Sequence, residues 1–172
     1  MKIVLFIILI SPLYVKSYNQ LQVAKVKKAV STQQQVVATG GDFRGLGDLF
    51  KGMNFSNTHF SGATFAKNDQ GVVSAAGTVK VPDQASDLSG CNFSNATLIS
   101  TSFVGANLEN ANFSQADIAW ADFSETNLKG ATGFDTAKNI DKAKFCKAIL
   151  PTGLTLSSNQ VSGGSFKAYC KK

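Results

Sequence analysis

Few residues in this chain of 172 have the types and spacing that chemistry requires. His59 is the single histidine, which excludes any catalytic or metal site that needs two. It falls between Thr58 and Phe60, with no nucleophile or acid coupled to it. Cys91, Cys146 and Cys170 have no spacing that suits zinc, and they are too few for a disulfide-dense miniprotein. Five acids lie in residues 86–130 against one base, a local −4. Among them Asp117 and Asp122 occupy successive equivalent positions, with Glu109 and Glu125 near in sequence. That reads as a solvated acidic face, because carboxylates alone set no coordination geometry. No metal, cofactor or enzymatic activity is therefore expected. Trp120, the one tryptophan, is expected at a corner pointing outward, where it either packs on the 67–85 loop or the C-terminal tail or anchors an interface.

Two further patterns carry less. Asn54, Asn92, Asn95 and Asn112 each begin an Asn-X-Ser/Thr pattern, the acceptor for N-linked glycans in a eukaryotic secretory host. Residues 134–172 hold seven lysines against two acids and contribute to the net +6 of the chain. Lacking interleaved aromatics and base-reading arginine, they predict no specific nucleic-acid partner.

The elements that must position these residues follow from one period. Leu88, Phe93, Leu98, Phe103, Leu108, Phe113, Ile118, Phe123 and Leu128 are large apolar residues spaced five apart. Two places before each stands something small, from Ser86 and Cys91 to Ala121 and Thr126, and a polar residue sits between. Phe50, Phe55, Phe60 and Phe65 keep the period, although Asp48 and Met53 stand where a small residue belongs. Ile140, Phe145 and Leu150 resume it after a two-residue shift near Gly133 and Phe134. Helical residues five apart scatter around the axis, and strand residues five apart fall on opposite faces. Both conflicts vanish if each unit is a short extended piece followed by a corner. The small and large residues then point inward and the polar one outward, and the coils stack as a solenoid.

Stretches such as Ala106-Asn107-Leu108-Glu109-Asn110 and Ala111-Asn112-Phe113-Ser114-Gln115 resemble the A(D/N)LXX motif of pentapeptide repeat proteins. The resemblance implies an all-β fold, a right-handed quadrilateral β-helix with four pentapeptides per coil. On such a coil Phe93 stacks on Phe113 and Phe103 on Phe123. Leu88, Leu108 and Leu128 then form one aliphatic column, and Leu98 with Ile118 another. Each side of the square is expected to be purely aromatic or purely aliphatic, as core packing with no ligand implied.

The organisation read from the chain has six parts. Residues 1–17 form a signal peptide, with a positive start, an apolar run and cleavage near Ser17. Residues 18–40 are a basic capping segment with a short amphipathic helix, 41–67 the first repeat block, and 68–85 an inserted loop with a hairpin. Residues 86–133 are the main block, and 134–172 a short continuation and cap. Phe145-Cys146 before Pro151 and Gly153 resembles the closing segment of exported members of the family, which implies a Cys146–Cys170 disulfide. Cys91 is then a buried thiol acting as a small hydrophobe. No transmembrane span is expected after processing.

The expected role is a non-enzymatic structural or protein-interaction module, exported to the periplasm or beyond and serving a protein partner. The alternative comes from the family alone. Some members mimic duplex DNA toward topoisomerases, which requires an acidic exterior and a cytosolic address, and the net +6 and the signal peptide oppose it.

Overall fold

The computed structural model describes residues 24–29, 31–32, 36–44, 49–66, 72–74, 77–79 and 85–156. Through most of this span the backbone repeats one step. A small inward residue, an outward polar one and a large inward one are followed by a two-residue corner. The corner closes through a backbone bond from the next small residue: Cys91 N–H donates to Leu88 O at 3.1 Å, and Ala96 N–H to Phe93 O at 3.0 Å. Its second residue has a positive φ, 68° at Gly90 and 56° at Asn95. A positive φ there alone is the mark of a type II turn, which favours Gly and Asn at that place.

Four steps complete a coil. Asp87 bridges Asn107, Asn92 bridges Asn112, Thr97 bridges Asp117 and Ser102 bridges Asp122, all parallel and all twenty residues apart. The fold is thus a repeat solenoid held by single bridges between coils. It begins earlier than the periodicity suggests: Val37 bridges His59 and Asp42 bridges Thr64, so residues 36–40 belong to a coil and not only to a cap.

The inward residues form four columns. Phe55, Phe93, Phe113 and Phe134 stack along one side, with centroids 5.4, 5.4 and 4.9 Å apart. Phe43, Phe65, Phe103, Phe123 and Phe145 stack along the opposite side at 5.0 to 5.4 Å. Between them rings meet edge to face, as Phe113 and Phe123 do at 5.5 Å and 90°. Leu88, Leu108 and Leu128 line a third side and Leu98 and Ile118 the fourth, all fully buried. Above them these two sides turn aromatic, at Phe50 and Phe60. Stacked and edge-to-face rings each add a little beyond the area they bury. Buried hydroxyls at the small positions bond corner carbonyls: Thr101 Oγ1 reaches Phe60 O at 2.9 Å and Ser86 Oγ reaches Phe43 O at 3.2 Å.

Four interruptions depart from strict repetition. The first is two extra residues between Asp42 and Phe50, so that Val37 bridges His59 and Asp42 bridges Thr64 twenty-two residues apart. Asn54 bridges Asn92 across thirty-eight residues, and the excess holds a hairpin of β1 (Val72–Ser74) and β2 (Gly77–Val79). The shift near Gly133 divides into two single insertions. Asp117 bridges Lys138, one residue late, and Asp122 bridges Lys144, two late. The second insertion forms a 3-10 helix, Ile140–Lys142. Ile140 therefore packs half-buried against the core from this turn, where the period places it in a column.

Both ends are covered in part. Helical residues 24–29 lay Val26 on the first coil, buried to 3% exposure. At the other end the chain reverses at Pro151–Gly153, so that Ile149 pairs antiparallel with Thr155 and Leu156 is buried.

Candidate functional site

The outward polar residues are engaged in holding the coils. Asn112 Nδ2 donates to Asn92 Oδ1 at 3.2 Å, and Asn92 Nδ2 to Asn54 Oδ1 at 3.1 Å. A second ladder runs from Asn127 to Asn107 to Asp87, with both bonds at 3.1 Å. Oδ1 atoms of these side chains also accept backbone N–H groups two residues on, Asp87 from Ser89 at 2.9 Å, Asn92 from Ser94 at 3.0 Å and Asn112 from Ser114 at 3.0 Å. Such Asx bonds fix the approach to each corner. Among the Asn-X-Ser/Thr asparagines, Asn92 and Asn112 thus lie within a ladder, whereas Asn95 is exposed at a corner.

Of the five acids in residues 86–130, three are paired with lysines. Lys51 Nζ lies 3.3 Å from Asp87, Lys144 Nζ 3.0 Å from Asp122 and Lys147 Nζ 3.6 Å from Glu125. Those lysines come from neighbouring coils, which residues 86–130 taken alone do not contain. Over residues 36–44, 49–66 and 85–156 there are eight acidic and seven basic residues, so the described solenoid is close to neutral. Burial raises the Asp87 carboxyl, but bonds from Ser89 and the Lys51 ammonium outweigh it and hold it below the ordinary value. Asp42 is held low in the same way by Arg44, against the opposing effect of its own burial.

The residues with chemical potential stay apart. His59 is half-buried on the side that bears Thr97 and Asp117. Cys91 is a free, fully buried thiol that donates to Phe50 O at 2.9 Å, and burial pushes it up to about 12. Cys146 is half-buried, while Cys170 and residues 1–17 lie outside the described residues. Among the described residues no three His, Cys, Asp or Glu side chains gather as metal ligands. No described helix is long and apolar enough to cross a membrane.

Trp120 is different. It stands 66% exposed on a corner, with a φ of 61°. Among the described residues the other exposed large apolar ones, Leu49 and Leu154, lie on the first coil and at the closing hairpin. Beside Trp120 a hydrogen-bonded chain crosses two coils. Lys142 Nζ donates to Asn139 Oδ1 at 3.0 Å, and Asn139 Nδ2 to Asp117 Oδ1 at 2.9 Å. The Ala119 N–H donates to the same Asp117 oxygen at 3.2 Å. Sequence reasoning singled out Trp120 and Asp117 but not Asn139 or Lys142, which arrive through an insertion that breaks the period.

No curated protein matches the chain in sequence. Among solved structures it is similar to trypsin-treated QnrB1, a plasmid-mediated fluoroquinolone resistance protein, at 20% identity and a TM-score of 0.31, covering 66% of this chain and 53% of that one. It is also similar to a pentapeptide repeat protein of the Arabidopsis thaliana thylakoid lumen, at 23% identity and a TM-score of 0.23, covering 64% and 62%. A third is HetL, involved in heterocyst differentiation regulation in the cyanobacterium Nostoc, at 18% identity and a TM-score of 0.25, covering 72% and 65%. The matched parts span less than two thirds of each of those chains, and no shared overall shape follows at such scores. The family model for pentapeptide repeats matches eight copies, over residues 84–115, 91–130 and 111–150. The five-residue step that builds the coils of residues 84–150 is therefore the pentapeptide repeat.

Proposed function

We propose that the chain is a non-enzymatic interaction scaffold, exported from the cytoplasm and closed by a Cys146–Cys170 disulfide. The observation that carries this reading is the engagement of the outward side chains. The carboxylates and amides best placed for chemistry hold corners and ladders, as Asp87, Asn92 and Asn112 do. What remains is a rigid, near-neutral, four-sided surface fit to be bound by a partner. Export is supported by the sequence of residues 1–17, and the disulfide by the resemblance of Phe145-Cys146 before Pro151 and Gly153 to the closing segment of exported family members, with Cys91 a free buried thiol. Duplex mimicry toward a topoisomerase would need a continuous acidic face, and Lys51, Lys144 and Lys147 sit on the acids that would supply it.

Fractionation of expressing cells, with thiol trapping before mass spectrometry, tests the reading. The expected result is a protein outside the cytoplasm, shortened near Ser17, with Cys146 and Cys170 protected from the trap. A full-length cytoplasmic protein with all thiols trapped overturns export and disulfide together.

A further inference from the structure

We infer that the corner at Trp120 is a binding site for a neutral oligosaccharide, with the indole as a stacking platform and Asp117 and Lys142 as its polar contacts. The inference deepens the scaffold reading and rests on it. It starts from a residue that stability does not explain. A left-handed backbone is strained for any residue but glycine, less so for asparagine. Other corners of this solenoid place Gly or Asn there, as at Gly52, Gly62, Gly90, Asn57, Asn95 and Asn110, or a polar side chain, as at Ser100, Gln115, Glu125 and Lys147. Trp120 is the one large apolar side chain at that place among the described corners. Trp120 accepts the strain and leaves two thirds of its surface in water. Its ring therefore gains little from the fold.

The surroundings point to the class of ligand. The register aligns Ser100 and Gly62 over Trp120, and a Cβ built at Gly62 would meet only the Gly40 backbone nitrogen, at 4.0 Å. Among the described residues, the corner positions aligned above the indole are thus serine and glycine. Below it, the insertion between Lys138 and Lys144 brings Asn139 and Lys142 to the level of Asp117. Asn139 bonds both neighbours, so an acceptor and a donor are fixed in advance on one chain of hydrogen bonds. Asp117 Oδ1 takes both bonds from Asn139 and Ala119, which leaves Oδ2 to accept. Asp117 and Asp141 are offset by Lys138 and Lys142, so the corner favours neither anions nor cations. A protein interface of ordinary size has an apolar core, and Leu49 and Leu154 are not on this corner. A pyranose matches instead: its C–H face covers an aromatic ring while its hydroxyls both donate and accept. Aromatic bodies with a few fixed polar groups are the usual composition of small-ligand sites.

Trp120 is the only tryptophan, so its emission reports the site directly. The full chain is titrated with chitohexaose, cellohexaose and maltohexaose. A saturable blue shift with at least one of them is expected. Asp117→Asn and Lys142→Ala are expected to weaken it at least fivefold, and Trp120→Ala to abolish binding by calorimetry with an unchanged melting curve. Emission unmoved by all three probes overturns the proposal. Equal affinity in the Asp117 and Lys142 variants overturns the assigned polar contacts. If Trp120→Ala instead releases a protein partner while the sugars do nothing, the glycan inference fails and the scaffold reading stands. Failure of that reading is seen separately, in the cell fractions.

Discussion

The rings of Phe123 and Phe145 lie 5.1 Å apart with planes 4° from parallel, although twenty-two residues separate them. Phe103 and Phe123, separated by twenty, stack at 5.1 Å and 12°. The column absorbs two inserted residues without changing its spacing, because both are accommodated at corners. The column is thus the part of the coil that packing holds fixed. Phe123, buried between two stacked neighbours and beside two edge-on ones, should be the most sensitive position. Phe123→Ala is expected to cost about 3–5 kcal/mol and Phe123→Leu distinctly less. Urea denaturation of the two variants measures both.

The same contrast explains what a reader of the sequence can see. A period of five with a small residue two places earlier records an inward pair, and Leu88 through Leu128 display it without a break. Phe43 does not, because the stretch after Asp42 holds two residues too many before Phe50; it nonetheless stacks on Phe65 at 5.0 Å. Phe134 is displaced by one residue for the same reason. Neighbouring coils were the other blind spot. Lys51 and Asp87 are far apart in the chain and adjacent in space, so the acidic run of residues 86–130 looks unbalanced until the coils are stacked. Trp120 could be noticed from composition, but the network of Asn139 and Lys142 could not, since an irregular turn carries no period.

Asp87 should leave a signature in acid. Its pKa lies below the ordinary 3.8, so its contribution is present above that value and is lost as pH falls through the lower folded value. Asp87→Asn keeps an oxygen for the Ser89 and Asn107 N–H groups but cannot follow pH. The expected outcome is a flatter stability profile below pH 4 and a loss at neutral pH of no more than about 1 kcal/mol, since Lys51 is exposed. Thermal melts of both proteins across the acid range check it.

Cys91 should behave in the opposite direction. Its thiol is raised from 9.0 to about 12 by burial, so the fold favours the protonated form. That preference is complete below pH 9 and erodes as pH rises toward 12. Native protein at pH 8 is therefore expected to resist iodoacetamide at Cys91, with labelling in urea as the control. Cys91→Ser should be tolerated, because Thr101 already shows a hydroxyl in the equivalent inward position bonding a carbonyl of the coil above.

Trp120 offers a test of strain independent of any ligand. Asparagine occupies the same place in the step at Asn57, Asn95 and Asn110. Trp120→Asn is expected to leave stability unchanged or raise it by up to about 1 kcal/mol, since little packing is lost and a left-handed residue is better suited. A clear loss of stability on chemical denaturation would mean that the exposed indole packs more than its surface indicates.

Gly133 is where the first extra residue meets the coil above. Its φ is 83°, and a Cβ there would collide with the backbone nitrogen of Ser114. A backbone atom inside the solenoid cannot move aside as a side-chain tip can. Gly153, at a φ of 86°, faces open space instead, with nothing within 4 Å. Gly153→Ala therefore meets the cost of a left-handed alanine alone, about 1 kcal/mol. Gly133→Ala meets that cost and the collision, and is expected to lose more than about 2 kcal/mol. Hydrogen exchange locates the damage: protection should fall first in residues 131–150, below the displaced corner, while residues 86–110 keep theirs. Equal losses in the two alanine variants would show that the φ requirement, and not the approach to Ser114, is what holds glycine at the insertion.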